Sequence, residues 1–173
     1  PSGITRKECH LILGDGMVID PWVLNTELTG WQESTGEDPR GERLYISERA
    51  HVILPFHCFL DSLDKKIGTT GRGIGPTYAD KINRIGLRFG DISEVVGDAQ
   101  WAESTTERMN ATLEAAGSDE RITVESLASD VQWIWDAYHS SIRNTGLMLD
   151  NALKLGEHVI LEGAQGCLLD IDQ

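Results

Sequence analysis

Ile67-Gly68-Thr69-Thr70-Gly71-Arg72-Gly73-Ile74-Gly75-Pro76-Thr77-Tyr78-Ala79-Asp80-Lys81-Ile82-Asn83-Arg84 is the most informative stretch of this 173-residue chain. Gly68, Gly71, Gly73 and Gly75 let backbone N–H groups approach a ligand without Cβ obstruction. Thr69 and Thr70 add hydroxyl donors. Pro76 predicts a short helix over residues 76–84, whose N-terminal end favours negative charge. Tyr78, Lys81 and Arg84 are three residues apart and so share one face of that helix. Residues 67–88 contain Arg72, Lys81, Arg84 and Arg88 against Asp80 alone, a local charge of +3 in a chain of −13. A basic, glycine-rich island in an acidic protein points to a specific site for a phosphate-bearing metabolite. The plain alternative is a flexible loop followed by a solvated helix. The stretch lacks the G-K-[ST] of the nucleotide P-loop. It also follows a helix rather than the strand that a dinucleotide fingerprint requires.

Working outward, residues 54–66 have apolar side chains at helical spacing and end in Lys65-Lys66, which suits a helix C-terminus. Leu44-Tyr45-Ile46 and Cys9-His10-Leu11-Ile12-Leu13 read as short strands. Gly14-Asp15-Gly16 is a turn, with apolar Met17-Val18-Ile19 after it. Asp20-Pro21 marks a helix start, and Trp22, Val23, Leu24 and Leu28 carry that helix to about Gly30. Residues 34–41 read as a loop. Beyond the basic island, residues 99–156 are mostly helical, with Leu127, Val131, Ile134, Trp135 and Tyr138 forming one stripe over residues 119–141. His158-Val159-Ile160-Leu161 reads as a short buried strand leading into Glu162-Gly163-Ala164-Gln165-Gly166. Ligands of open α/β sheets bind beyond strand ends, which makes Gln165 a candidate contact, although a tight turn with a solvated amide is the better reading of these residues taken alone. The expected class is α/β, with a helical subregion.

Composition excludes several roles. The chain is 40% hydrophobic and 25% charged, which is globular rather than disordered. Its net negative charge opposes general nucleic-acid binding. No apolar run approaches the ~20 residues of a membrane span, and no leader pattern is visible. Cys9, Cys58 and Cys167 are widely spaced, as in a reduced, cytoplasmic protein, and no metal-ligand spacing occurs. His51 and His57 lie among apolar residues and read as core or interface histidines. Trp133 and Trp135 read as packing residues, and Asp170 and Asp172 as an exposed strand face rather than a catalytic carboxylate pair.

The basic stretch resembles the signature of the adenylosuccinate synthetase family. G-I-G-P-x-Y-x-x-K-x-x-R is matched without a gap over residues 73–84. Pro1-Ser2-Gly3-Ile4, Ser47-Glu48-Arg49-Ala50-His51-Val52-Ile53-Leu54, Gly86-Leu87-Arg88, Glu162-Gly163-Ala164-Gln165-Gly166 and Leu168-Leu169-Asp170-Ile171-Asp172 also resemble that family. The likeness is weakest over residues 93–157. It implies a homodimeric, cytoplasmic ligase that joins inosine monophosphate (IMP) to L-aspartate with GTP and Mg2+, giving adenylosuccinate, GDP and phosphate. The 6-oxygen of IMP is phosphorylated, and aspartate then displaces the phosphate. By position, Thr70 would hold the IMP 5′-phosphate, Arg84 would act in the partner subunit's site, and Gln165 would contact IMP. Lys81 would be the signature's active-site lysine, in a chemical or an electrostatic role.

The same likeness implies that this chain is the central portion of the enzyme. The family's phosphate loop, catalytic aspartate and histidine and first magnesium ligands would precede Pro1. Its guanine- and aspartate-binding parts would follow Asp172. The chain alone is therefore expected to be inactive, with no metal ligand of its own. Asp15 stands where members usually have Asn, and Gln173 where His is common. The competing reading is a non-catalytic nucleotide-binding module that kept the IMP loop.

Overall fold

A computed structural model describes residues 1–63 and 71–163. Lys65, Lys66, Gly68, Thr69, Thr70, Gln165, Cys167, Asp170, Asp172 and Gln173, named above, lie outside the described residues. The chain folds as a parallel α/β unit with a helical subregion, as its alternation predicts.

Strand β1 (Leu11–Leu13) leads through the Gly14–Gly16 turn into β2 (Val18–Ile19). Helix α1 (Pro21–Thr35) starts where the sequence says it should. The Asp20 carboxylate accepts from the Trp22 and Val23 amides, and Pro21 needs no partner in the first turn. It does not stop at Gly30. It runs on through Ser34 and Thr35 to Gly36, whose φ of 76° supplies the left-handed cap. An interior glycine only weakens a helix; a glycine at the cap ends it.

The crossover returns to β3 (Leu44–Ser47), which pairs in parallel with β1 through Leu11–Leu44, Ile12–Tyr45 and Leu13–Ile46. Strand β4 (His51–Val52) pairs in parallel with β2. Helix α2 is described over Pro55–Leu63 and α3 over Ile74–Asn83. The helical subregion comprises the short α4 (Ile92–Val95), α5 (Ala99–Ala115) and α6 (Val124–Tyr138). Strand β5 (Ile142–Arg143) lies where the sequence pattern reads as mostly helical, and it completes a sheet of order β1-β3-β5. Helix α7 (Thr145–Lys154) follows it.

The central strand explains the core. Strand β3 is paired on both sides, and its Leu44 and Ile46 are wholly buried, while Tyr45 on the opposite face is only partly so. Helix α6 lays Leu127, Val131, Ile134 and Tyr138 against the core. Trp133 stacks on Trp22 at 5.5 Å between ring centroids, so it is a packing residue as expected. The Tyr138 hydroxyl donates to the Pro21 carbonyl at 2.6 Å, and burial pushes its pKa well above the ordinary tyrosine value.

One expected strand is not there. Residues 158–161 have no strand pairing, and Ile160 and Leu161 are 91% and 89% exposed. A strand needs a hydrogen-bonding neighbour, and none lies beside this segment among the described residues.

Candidate functional site

Parallel strands deliver loops at their carboxyl ends, and here three such ends meet. Asp15 follows β1, Ser47 ends β3, and Thr145 follows β5. The Asp15 carboxylate accepts from the Ser47 hydroxyl at 2.6 Å and the Thr145 hydroxyl at 3.2 Å. Its other oxygen lies 3.6 Å from the Arg49 guanidinium. An asparagine here could accept from the same hydroxyls but would leave the Arg49 charge without this partner. The carboxyl ends of strands are where open parallel sheets bind ligands.

Helix α3 is tied to the β1–β2 turn at these strand ends. Its start is set by Gly73, at φ 74° and ψ 11°, not by Pro76. Pro76 falls at the third helical position, where its missing N–H has no intrahelical partner to lose. The Gly73 amide is not left for a ligand: it donates to the buried Asp61 carboxylate at 3.0 Å. Asp61 is four residues from His57 on α2, so the two share a face, and both are buried. The i, i+4 pairing of His57 and Asp61 on a largely apolar helix was the signal that could have revealed this anchor.

Tyr78 and Lys81 share a face, as the spacing predicted. The Tyr78 hydroxyl donates to the Gly16 carbonyl at 3.0 Å. The Lys81 ammonium donates to the same carbonyl at 3.1 Å and to that of Asp15 at 3.3 Å, and it lies 5.5 Å from the Tyr78 ring centroid. Lys81 thus bridges α3 to the β1–β2 turn. Arg84 leaves that face, because α3 ends at Asn83 and Arg84 caps it at φ 61° and ψ 33°. It is the only non-glycine residue with positive φ among the described residues. Its side chain is exposed, and the neighbouring Ile82 and Ile85 are 75% and 45% exposed.

Both histidines are buried, as read from sequence. His51 lies near Lys81 and Arg88. Burial first, and the Lys81 charge second, push its pKa below the ordinary 6.5, against a hydrogen bond to the Arg49 backbone that pulls it up. The sign follows from proton counting. Below pH 6.5 the unfolded chain binds a proton at this position that the folded chain resists, so stability present above that pH is lost as pH falls. We expect the urea midpoint to decline as pH drops below about 6.5, and His51→Gln to flatten that decline. An unchanged slope in the variant would show that other groups govern it. The lowered carboxyl of Asp38 acts only below its ordinary 3.8, in a separate window.

Among the described residues no helix is long and apolar enough to cross a membrane, and no cluster of three or more His, Cys, Asp or Glu side chains is placed to hold a metal ion.

Comparison with known proteins bears on the whole chain. A family model described as adenylosuccinate synthetase matches residues 1–173. Adenylosuccinate synthetase of Chlorobaculum tepidum is 41% identical, and that of Sorangium cellulosum 40%, each over 99% of this chain. The chain spans about 41% of the length of these relatives. A solved structure of fully ligated adenylosuccinate synthetase from Plasmodium falciparum superimposes with a TM-score of 0.79 at 28% identity, covering 99% of this chain and 40% of that one. A match along the full length, in sequence and in fold, leaves one assignment: this chain belongs to the adenylosuccinate synthetase family.

Proposed function

We propose that this chain is the central portion of an enzyme that joins IMP to L-aspartate at the expense of GTP, forming adenylosuccinate, GDP and phosphate. In this reading the chain supplies part of the IMP site. Thr70 holds the 5′-phosphate, Gln165 contacts IMP, and Arg84 reaches the site of the partner in a homodimer. Lys81 acts electrostatically. Two of its three N–H donors meet backbone carbonyls, which holds its charge at the turn after β1 and fixes its position.

The observation that best supports the reading is the state of Arg84. A bulky residue in the left-handed region costs roughly 1–2 kcal/mol. Such strain persists where the surroundings impose it, and it clusters at functional sites. Here it falls on an exposed arginine with exposed isoleucines, Ile82 and Ile85, on either side of it in the chain. That is the form expected of a group meant for another subunit.

The phosphorylation step has a simple chemical logic. A ring carbonyl oxygen is a poor leaving group, and a phosphate ester is a good one. In this reading the magnesium ligands belong to parts of the enzyme outside this chain. The test is phosphate release by the complete protein. We expect release only when IMP, aspartate and GTP are all present, with adenylosuccinate formed in equal amount. GTP hydrolysis that ignores IMP, or no turnover at all, would remove the proposal.

A further inference from the structure

Asp80 occupies one of the open positions of the signature, yet both its carboxylate and its carbonyl are committed. One carboxylate oxygen lies 3.3 Å from Nε2 of His57 on α2 and 3.5 Å from the guanidinium of Arg108 on α5. His57 is 1% exposed, and its Nδ1 accepts the Leu54 amide at 2.9 Å. The imidazole proton therefore sits on Nε2 and is donated to Asp80. The Asp80 carbonyl accepts from the amides of Ile85 at 3.0 Å and Gly86 at 3.2 Å, and the cap N–H of Arg84 also turns toward it. One residue thus closes the turn that holds Arg84 in its left-handed conformation. The same residue is tied sideways to two other helices.

We propose that Asp80, held by His57 and Arg108, is a positioning residue that fixes the Arg84 turn and so the reach of Arg84 toward IMP. The proposal rests on the IMP role given to Arg84 above. It also gives the acidic helical subregion, where the family likeness is weakest, a task at the site: Arg108 carries the position of α5 to α3. Asp80 itself need not touch the substrate. The left-handed turn is costly for arginine, so it needs fixed acceptors on its inner side, and the Asp80 carbonyl supplies them. Without its carboxylate anchors, the end of α3 is free to relax toward an ordinary helical cap, and the guanidinium swings away.

The test is a kinetic cycle on the complete enzyme with wild type, Asp80→Ala, Asp80→Asn, Arg84→Leu and the Asp80→Ala/Arg84→Leu double variant. Asp80→Ala should raise the KM for IMP about tenfold, because small misplacements of a binding group are costly. The KM values for GTP and aspartate should not move. Asp80→Asn should recover part of the loss, since an amide oxygen still accepts from His57. In the Arg84→Leu background Asp80→Ala should add almost nothing, because residues acting through one group are not additive. An Asp80→Ala enzyme that folds with an unchanged KM for IMP, or one whose effect adds in full to that of Arg84→Leu, overturns the proposal. A uniform fall in kcat with every KM unchanged does the same, since it marks a merely structural role. If Asp80→Ala does not fold, Arg108→Met, which removes only the more exposed partner, is judged by the same criteria. Wild-type IMP kinetics in Arg84→Leu would instead overturn the reading on which the proposal rests.

Discussion

Replacing Gly73 with alanine should destabilise the protein by on the order of 3 kcal/mol, while the same change at Gly75 should leave it unharmed or slightly stabilised. The two glycines are two residues apart in one signature, and the structure separates their roles. Gly73 has φ 74°, and a Cβ there would lie 2.9 Å from the His57 Cβ and 3.0 Å from both the His57 carbonyl carbon and the Cys58 nitrogen. Those are mostly backbone atoms of α2, which cannot swing aside. Left-handed strain contributes about 1–2 kcal/mol and overpacking about 1–3, offset by at most about 1 from the stiffer unfolded chain. The Gly73 amide would also be displaced from Asp61. A methyl group added at Gly75 would meet nothing within 4 Å, and φ there is ordinary for a helix. Alanine there should gain up to about 1 kcal/mol of helix propensity. Urea unfolding of the complete protein and both variants checks this. Equal midpoints for the two variants would show that α3 does not pack on α2 as described. A Gly75→Ala enzyme that is stable but poor with IMP would show that this glycine serves backbone approach to the ligand rather than the fold.

The contrast shows which parts of the molecule were legible in the sequence. Local chemistry was. Asp20-Pro21 announces a helix because the carboxylate and the imino acid each solve a problem of the first turn, and the structure uses both. The α6 stripe is legible because its period is the helix's own. Choosing among punctuation marks was harder: Gly30 and Gly36 look alike in a sequence, and only the second adopts positive φ. Strand β5 is two residues long, too short for any period to show, and it exists because β3 offers an edge. Val159-Ile160-Leu161 shows the converse. An apolar run states that a segment seeks cover but not where the cover lies, and the chain spans only about 41% of the relatives it matches. At the site, Tyr78 and Lys81 were legible from spacing. The His57–Asp80–Arg108 group was not, because its members are 23 and 28 residues apart and meet only when three helices pack.

Arg84→Leu should lower kcat/KM for IMP by roughly ten- to a hundredfold, the equivalent of about 1.5–3 kcal/mol for one charge-assisted contact, with folding unchanged. Arg84→Gly should lose as much activity and yet gain about 1 kcal/mol of stability, because glycine relieves the left-handed strain. That opposition is the informative result. A structural arginine would lose stability in both variants; a group held under strain for a ligand loses function and relaxes. The subunit that owns the contact can then be found by mixing. If Arg84 serves the partner's site, a hybrid of Arg84→Leu and Thr70→Ala subunits contains one site with both residues intact and one with neither. Random pairing of two weak variants should then recover about a quarter of wild-type activity, since half the dimers are hybrids and each holds one good site. If Arg84 serves its own subunit's site, every site in every pairing keeps one defect and no activity returns. The first result would support assembly of the IMP site across a homodimer. The second would keep Arg84 at the site but place the whole IMP contact within one chain.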